Sequence, residues 1–213
     1  MKENVEKKRQ RLLDIANIFD KVYPGADCTL DYTSALQLLI ATQLAAQCTD
    51  ARVNLVTPAL FDKYKTVFDF AQANPDELSS LIHSTGFYRN KTKNIIACCK
   101  KLISDFGGEV PQTMDELLTL PGVGRKTANL VLGDIFGIPG IVVDTHATRL
   151  SNRMGFTTNK DPYKIEMDLL KIVPPDIQSH FCHQLVLHGR EFCDARKPRC
   201  EECPVSHLCP QKI

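Results

Sequence analysis

Cys193, Cys200, Cys203 and Cys209 lie within 17 residues, separated by six, two and five residues. Four thiolates gathered at one point repel one another unless a cation neutralises them, so the pattern implies metal. A structural zinc site with four cysteines usually uses two close pairs held apart by a longer loop. Here only Cys200 and Cys203 form a close pair, with a wide bite on either side. Wide bites suit a cuboidal iron–sulfur cluster, whose irons sit at separated corners and take one thiolate each. The spacing therefore favours iron–sulfur and leaves zinc as the competitor. A disulfide pair is the bland alternative, which a reducing compartment disfavours. Cys28, Cys48, Cys98, Cys99 and Cys182 show no ligand spacing and read as small apolar residues. The first loop of the cysteine block, Asp194 to Arg199, carries Arg196, Lys197 and Arg199 against one acid. Pinned by a metal, such a loop would present positive charge to phosphate; a solvated polar loop explains it equally well.

A second constellation is Leu120-Pro121-Gly122-Val123-Gly124-Arg125-Lys126. It is too short for anything but a hairpin between two helices, and its glycines permit positive φ and close backbone approach. The N–H groups of Gly124 and Arg125 open the next helix at its positive end, which makes an anion site. Such a site would hold a nucleic-acid phosphate without reading sequence. A plain helix–helix turn is the competing reading.

The elements that must position these residues are helices. Ser34-Ala-Leu-Gln37 and Thr113-Met-Asp-Glu116 fit the capping box. Asn74-Pro75 and Asp161-Pro162 place a cap before a first-turn proline. Gly107-Gly108, Gly137 and Gly189 stand where helices should stop. Leu36, Leu39, Ile40 and Leu44 form one apolar stripe; Leu130, Val131 and Ile135 belong to another. The best strand candidate, Ile141–Val143, is too short for a sheet. The pattern predicts about ten short helices and an all-α fold. Breaks at residues 23–33 and at Ile138-Pro139-Gly140 set off a central block, 29–138, from the two chain ends, 1–28 and 139–213.

Composition narrows the function classes. The chain has 213 residues, 43% of them hydrophobic, enough to bury a core. Its 26 Lys and Arg nearly balance 25 Asp and Glu, so any nucleic-acid surface must be a local patch. No apolar run approaches a membrane span, and the charged N-terminus lacks the apolar stretch of a secretory signal. A cytoplasmic protein with reduced thiols is expected.

Leu-Pro-Gly-Val-Gly-Arg-Lys-Thr-Ala-Asn (120–129), Val-Asp-Thr-His (143–146) and the spaced cysteines together resemble the endonuclease III family. These are bifunctional DNA glycosylase/lyases of the helix–hairpin–helix superfamily. The likeness runs from Leu36-Gln-Leu-Leu-Ile to Cys209. It implies a six-helix barrel domain with a helix–hairpin–helix motif, plus a [4Fe–4S] domain built from both chain ends and ligated by Cys193, Cys200, Cys203 and Cys209. The implied activity is removal of oxidised pyrimidines from duplex DNA, followed by cleavage 3′ to the abasic site. The enzyme would act as a monomer, associated with the nucleoid when bound.

The resemblance also assigns roles. Lys126 stands at the position of the nucleophilic lysine, where a helix N-terminus and Arg125 both disfavour an ammonium. Asp144 stands at the position of the essential aspartate and could also cap the helix beginning at Thr145. Gln47 matches the glutamine that fills the stack vacated by an extruded nucleotide. Phe87 falls at the apolar wedge position, where related enzymes often carry leucine; a core role is the alternative. Residues 87–101 add Arg89, Lys91, Lys93, Lys100 and Lys101 with no acid, the local basic patch that a near-neutral chain requires. Gly122, Gly124, Arg125, Arg196, Lys197 and Arg199 complete the expected DNA contacts. His146 and the other histidines read as structural. The competing functions are a monofunctional mismatch glycosylase, which carries a different residue where Lys126 stands, and a non-enzymatic DNA-binding module. Lys126 and Asp144 together argue against the latter.

Overall fold

The computed structural model describes residues 3–212, and over that span the chain forms eleven α-helices, three short 3-10 turns and no strand. It divides into two compact units, Cys28–Gly137, and the residues up to Asp27 together with those from Ile138 onward.

The second unit begins with α1 (Val5–Val22) and resumes after Gly137. The central unit contains α2 (Ala35–Leu44), α3 (Asp50–Lys63), α4 (Val67–Ala71), α5 (Pro75–Ile82), α6 (Tyr88–Phe106), α7 (Met114–Leu118) and α8 (Arg125–Phe136). Two of these, α4 and α7, are five-residue single turns. Every residue of α2 from Leu38 to Leu44 is buried, polar Thr42 and Gln43 included. The stripe read from the sequence therefore undercounts the burial: α2 is apolar on nearly every face and is packed against by α3, α6 and α8. Thr42 survives there because its hydroxyl donates to the Leu38 carbonyl at 2.7 Å.

Caps set the helix starts. Asn74 accepts hydrogen bonds from the Asp76 and Glu77 amides, and Asp161 from the Lys164 amide. The two expected capping boxes form only by half. Ser34 and Thr113 accept from the N–H three residues on. The return bonds go elsewhere: Gln37 accepts from Thr33, and Glu116 from the Thr113 hydroxyl. The complete box is at Thr66 and Asp69, ahead of α4. Gly107 and Gly137 end α6 and α8 as expected.

In the other unit, α1 is joined by α9 (Thr145–Arg153), α10 (Pro162–Leu170) and α11 (Gln178–Glu191). Its core includes Leu12, Ile15, Phe19 and Phe181, the two rings stacked with centroids 6.2 Å apart. Ile141–Val143 forms no strand; it is a buried connection whose Val142 N–H donates to Cys182 Sγ at 3.3 Å. Gly189 does not stop a helix either, because it lies inside α11. Its role is close approach: a Cβ there would lie 2.5 Å from His146 Nδ1 and 2.9 Å from an Arg149 nitrogen, both on α9. No helix among the described residues is long and apolar enough to cross a membrane.

Gly189→Ala tests that approach. In an open helix interior the change should stabilise by roughly 1 kcal/mol. Overpacking against α9 should instead cost about 1–3 kcal/mol. The expected outcome is a melting temperature lowered by about 2–12 °C. A raised melting temperature would show that His146 gives way freely.

Candidate nucleic-acid interface and metal centre

The hairpin follows α7 and ends at Gly124, the N-cap of α8. Gly122 takes φ +77°, and a Cβ on it would meet Gln43 Oε1 at 2.7 Å and Asn94 Cβ at 2.9 Å. Gly122 therefore seats the hairpin on both α2 and α6, and no larger residue fits. No side chain caps α8. Its first turn stands at the positive end of a twelve-residue helix, which favours an anion. Lys126 is exposed in that same turn.

Gln47 and Phe87 share an unusual backbone. Among the described residues only three that are not glycine have positive φ: Gln47 at +54°, Phe87 at +47° and Gln211 at +48°. Such conformations cost energy for residues bearing a Cβ and persist only where the surroundings impose them. Gln47 lies just past α2 and is exposed. Phe87 is the N-cap residue of α6, with 63% of its surface in solvent. A core role for this ring is thus excluded.

The basic stretch after Phe87 is smaller than its composition suggests. Lys91 is only 5% exposed, so it does not belong to the surface patch. Its Nζ donates to the carbonyls of Leu44 at 2.7 Å and Thr85 at 2.8 Å. Burial lowers its pKa. Lys101 pairs with Asp105 at 2.5 Å. Arg89, Lys93 and Lys100 remain, lining a groove between α5 and α6 with His83 and Tyr88.

In the other unit, Asp144 is the N-cap of α9, its Oδ1 accepting the Ala147 N–H at 2.7 Å. That single bond fixes the carboxylate at the mouth of the helix while leaving the group half-buried. His146 sits two residues on, its Nδ1 3.1 Å from Arg149 Nη2. It is built into the α9–α11 contact at Gly189, which accounts for it structurally.

The four clustered cysteines line one cavity of about 30 Å³. That exceeds the roughly 10–15 Å³ a single water needs. No three His, Cys, Asp or Glu side chains among the described residues converge tightly enough to hold one metal ion. Thiols spread around one shared cavity fit a cluster with several metal corners, each taking one thiolate. Burial first, and then the charge of the other cysteines, pushes the Cys203 and Cys209 thiols upward. They become thiolates readily only when a metal takes the proton's place.

The sequence reading missed the groups around this cavity. Arg153 Nη1 lies 3.4 Å from Cys193 Sγ and donates to the Asp194 carbonyl at 2.6 Å. His188 Nε2 lies 3.4 Å from Cys203 Sγ, and the Tyr23 hydroxyl lies 3.2 Å from His188 Nδ1. Burial pushes this imidazole's pKa down to about 4, so it carries one N–H for these two contacts. The five-residue step from His188 to Cys193 was the available signal. In the basic loop, Asp194 Oδ1 accepts the Arg196 and Lys197 amides, which turns both side chains outward into exposed positions. Arg199 is partly spent on the fold: it bonds the Glu191 carbonyl, pairs with Glu202 at 3.1 Å and covers the Phe192 ring.

Comparison with known proteins agrees with this arrangement. Residues 40–175 match the HhH-GPD superfamily base excision DNA repair protein family, and residues 193–209 match the iron–sulfur binding domain of endonuclease III. The chain is 55% identical to endonuclease III of Synechocystis over 95% of its own length and 93% of that protein's. It is 46% identical to endonuclease III of Bacillus subtilis, over 93% and 92% of the respective lengths. A trapped endonuclease III–DNA covalent intermediate superposes with a TM-score of 0.91 at 44% identity, covering 95% of this chain and 96% of that one. The cofactor is a [4Fe–4S] cluster, and the matched iron–sulfur segment, residues 193–209, contains all four cysteines that line the cavity.

Protein purified without oxygen should be yellow-brown and carry about four irons per chain, with no stoichiometric zinc. Cys200→Ser should lose most of that iron and melt at a lower temperature, because three thiolates lose part of their neutralising charge. Elemental analysis alongside a thermal melt checks both outcomes.

Proposed function

The chain belongs to the endonuclease III family of DNA glycosylases with abasic-site lyase activity, and on that premise we propose that Lys126 is its nucleophile and Asp144 its essential carboxylate. The reaction class is base excision repair. The lesions proposed for it are oxidised pyrimidines in duplex DNA, handled by a monomer in the cytoplasm.

Breaking the bond between base and sugar leaves electrons on the base and positive charge on the sugar. A carboxylate beside the sugar stabilises that charge. In this reading Asp144 does so, oriented by the Ala147 N–H. The Lys126 amine forms a bond to C1′ as the base departs with the bonding pair. Opening of the sugar ring turns that bond into an imine. The imine acidifies C2′; loss of a C2′ proton then expels the 3′ phosphate, and water releases the lysine. One amine thereby links base removal to strand cleavage. The helix–hairpin–helix amides and the outward Arg196 and Lys197 are assigned to phosphates, which position without reading sequence.

The observation that carries the DNA-binding part is the exposure of Gln47 and Phe87 on left-handed backbone. An exposed aromatic ring held in a costly conformation has little value to the fold. As a wedge it would stack against bases beside the extruded nucleotide.

Lys126→Ala should abolish borohydride trapping on abasic DNA while retaining most of the affinity. Asp144→Asn should slow base release by at least about 10²-fold. Normal trapping by Lys126→Ala would identify another nucleophile.

For Phe87→Ala, stacking worth about 1–3 kcal/mol predicts roughly 5- to 150-fold weaker binding to damaged duplex. An exposed residue predicts little change in melting temperature. Cleavage of a single-stranded abasic oligonucleotide should barely change. An unchanged duplex-to-single-strand ratio would overturn the wedge assignment.

A further inference from the structure

Lys91 is the one lysine described here whose ammonium is buried and spent entirely on backbone carbonyls of two separate segments. Leu44 is the last residue of α2, three residues before Gln47. Thr85 closes the 3-10 turn His83–Thr85, two residues before Phe87. Both carbonyls are at helix ends, where the partial charge is negative and an ammonium is favoured. Lys91 is itself anchored one turn into α6, and its N–H donates to the Phe87 carbonyl at 3.1 Å. Thr85 is fixed as well, being buried with its hydroxyl bonded to Ile82. One side chain therefore ties together the roots of both strained residues.

We infer that Lys91 is a positioning residue that holds the Gln47 and Phe87 loops at a fixed separation, so that the two side chains enter the base stack as a pair. This rests on the assignment of Gln47 and Phe87 as the intercalating residues. Burying an ammonium is costly, and an apolar side chain would pack at this site at less cost. What an apolar chain cannot do is bind two carbonyls at once. The geometry that binding maintains is separation between the loops, and neither loop has another bond to the other among the hydrogen bonds of the described residues. Positive φ at Gln47 and Phe87 makes the point sharper. Strained segments relax when an anchor is released, and this one nitrogen anchors both.

The test compares Lys91→Met, Lys91→Arg and Phe87→Ala in the cluster-loaded full chain. Each is measured for melting temperature, cleavage of an abasic site in duplex and in single-stranded DNA, and fluorescence of 2-aminopurine placed beside the abasic site. Lys91→Met should remain folded and cleave the single strand within about twofold of the parent. Its duplex-to-single-strand ratio should fall by up to about 10²-fold, the scale of a misplacement of about 1 Å, and the 2-aminopurine signal of unstacking should fall with it. Lys91→Arg, which keeps the charge and donors, should recover part of the ratio. If Phe87→Ala collapses the ratio while folded Lys91→Met leaves it unchanged, the wedge stands and the role of Lys91 is refuted. If Phe87→Ala itself leaves the ratio unchanged, the wedge assignment fails. If neither Lys91 variant folds, Lys91 is a core residue and the inference is wrong.

Discussion

Burial of α2 on nearly every side is the constraint on which the central unit depends. A helix that is apolar around its whole circumference can exist in water only if other helices enclose it. Here α3, α6 and α8 do so. Each proposed DNA-facing group of this unit then sits at an end of one of these packed helices. Gln47 lies just beyond the C-terminus of α2, Phe87 caps the N-terminus of α6, and Lys126 is in the first turn of α8. Helix ends are where backbone groups lack partners and side chains leave the core. The packing that satisfies α2 therefore also places the chemistry. Gly122 shows how tight this is, since the hairpin rests on Gln43 and Asn94 without room for a Cβ.

The other unit obeys an electrostatic constraint. Four half-buried thiols share one cavity, and burial together with the neighbouring cysteines opposes ionisation of Cys203 and Cys209. The cluster relieves this, and the surrounding donors distribute what remains. Arg153 reaches Cys193, while Tyr23 and His188 form a chain to Cys203 that joins α1 to α11 and the cysteine loops. Arg153 also fixes the carbonyls of Asp194 and Ala195, so the same cation shapes the loop that presents Arg196 and Lys197. Arg153 thus touches both a cavity cysteine and the loop that carries Arg196 and Lys197.

Strain is confined to a few positions. Among the described residues, two of the three non-glycine positions with positive φ are the proposed intercalating pair, and both follow an element whose final carbonyl is held by Lys91. Conformational cost at a binding surface is tolerable when buried bonds elsewhere impose it. A residue that composition assigns to a basic surface is in this case interior scaffolding.

The sequence by itself determined what depends on local spacing. Helix starts at Asn74 and Asp161, stops at Gly107 and Gly137, the hairpin at Leu120–Lys126 and the cysteine pattern all follow from interactions within a few residues, which the chain order preserves. Tertiary structure decided whatever required knowing a distant neighbour. Gly189 looks like a helix stop until α9 is seen against it. Ile141–Val143 looks like a strand, yet finds no partner strand and becomes a buried connector. Lys91 belongs to a run of cations by composition, but its place on α6 turns it inward toward two carbonyls 47 and 6 residues away in sequence. Charge is a property of the residue; burial and partnership are properties of the fold, because they depend on which segments packing brings within bonding distance.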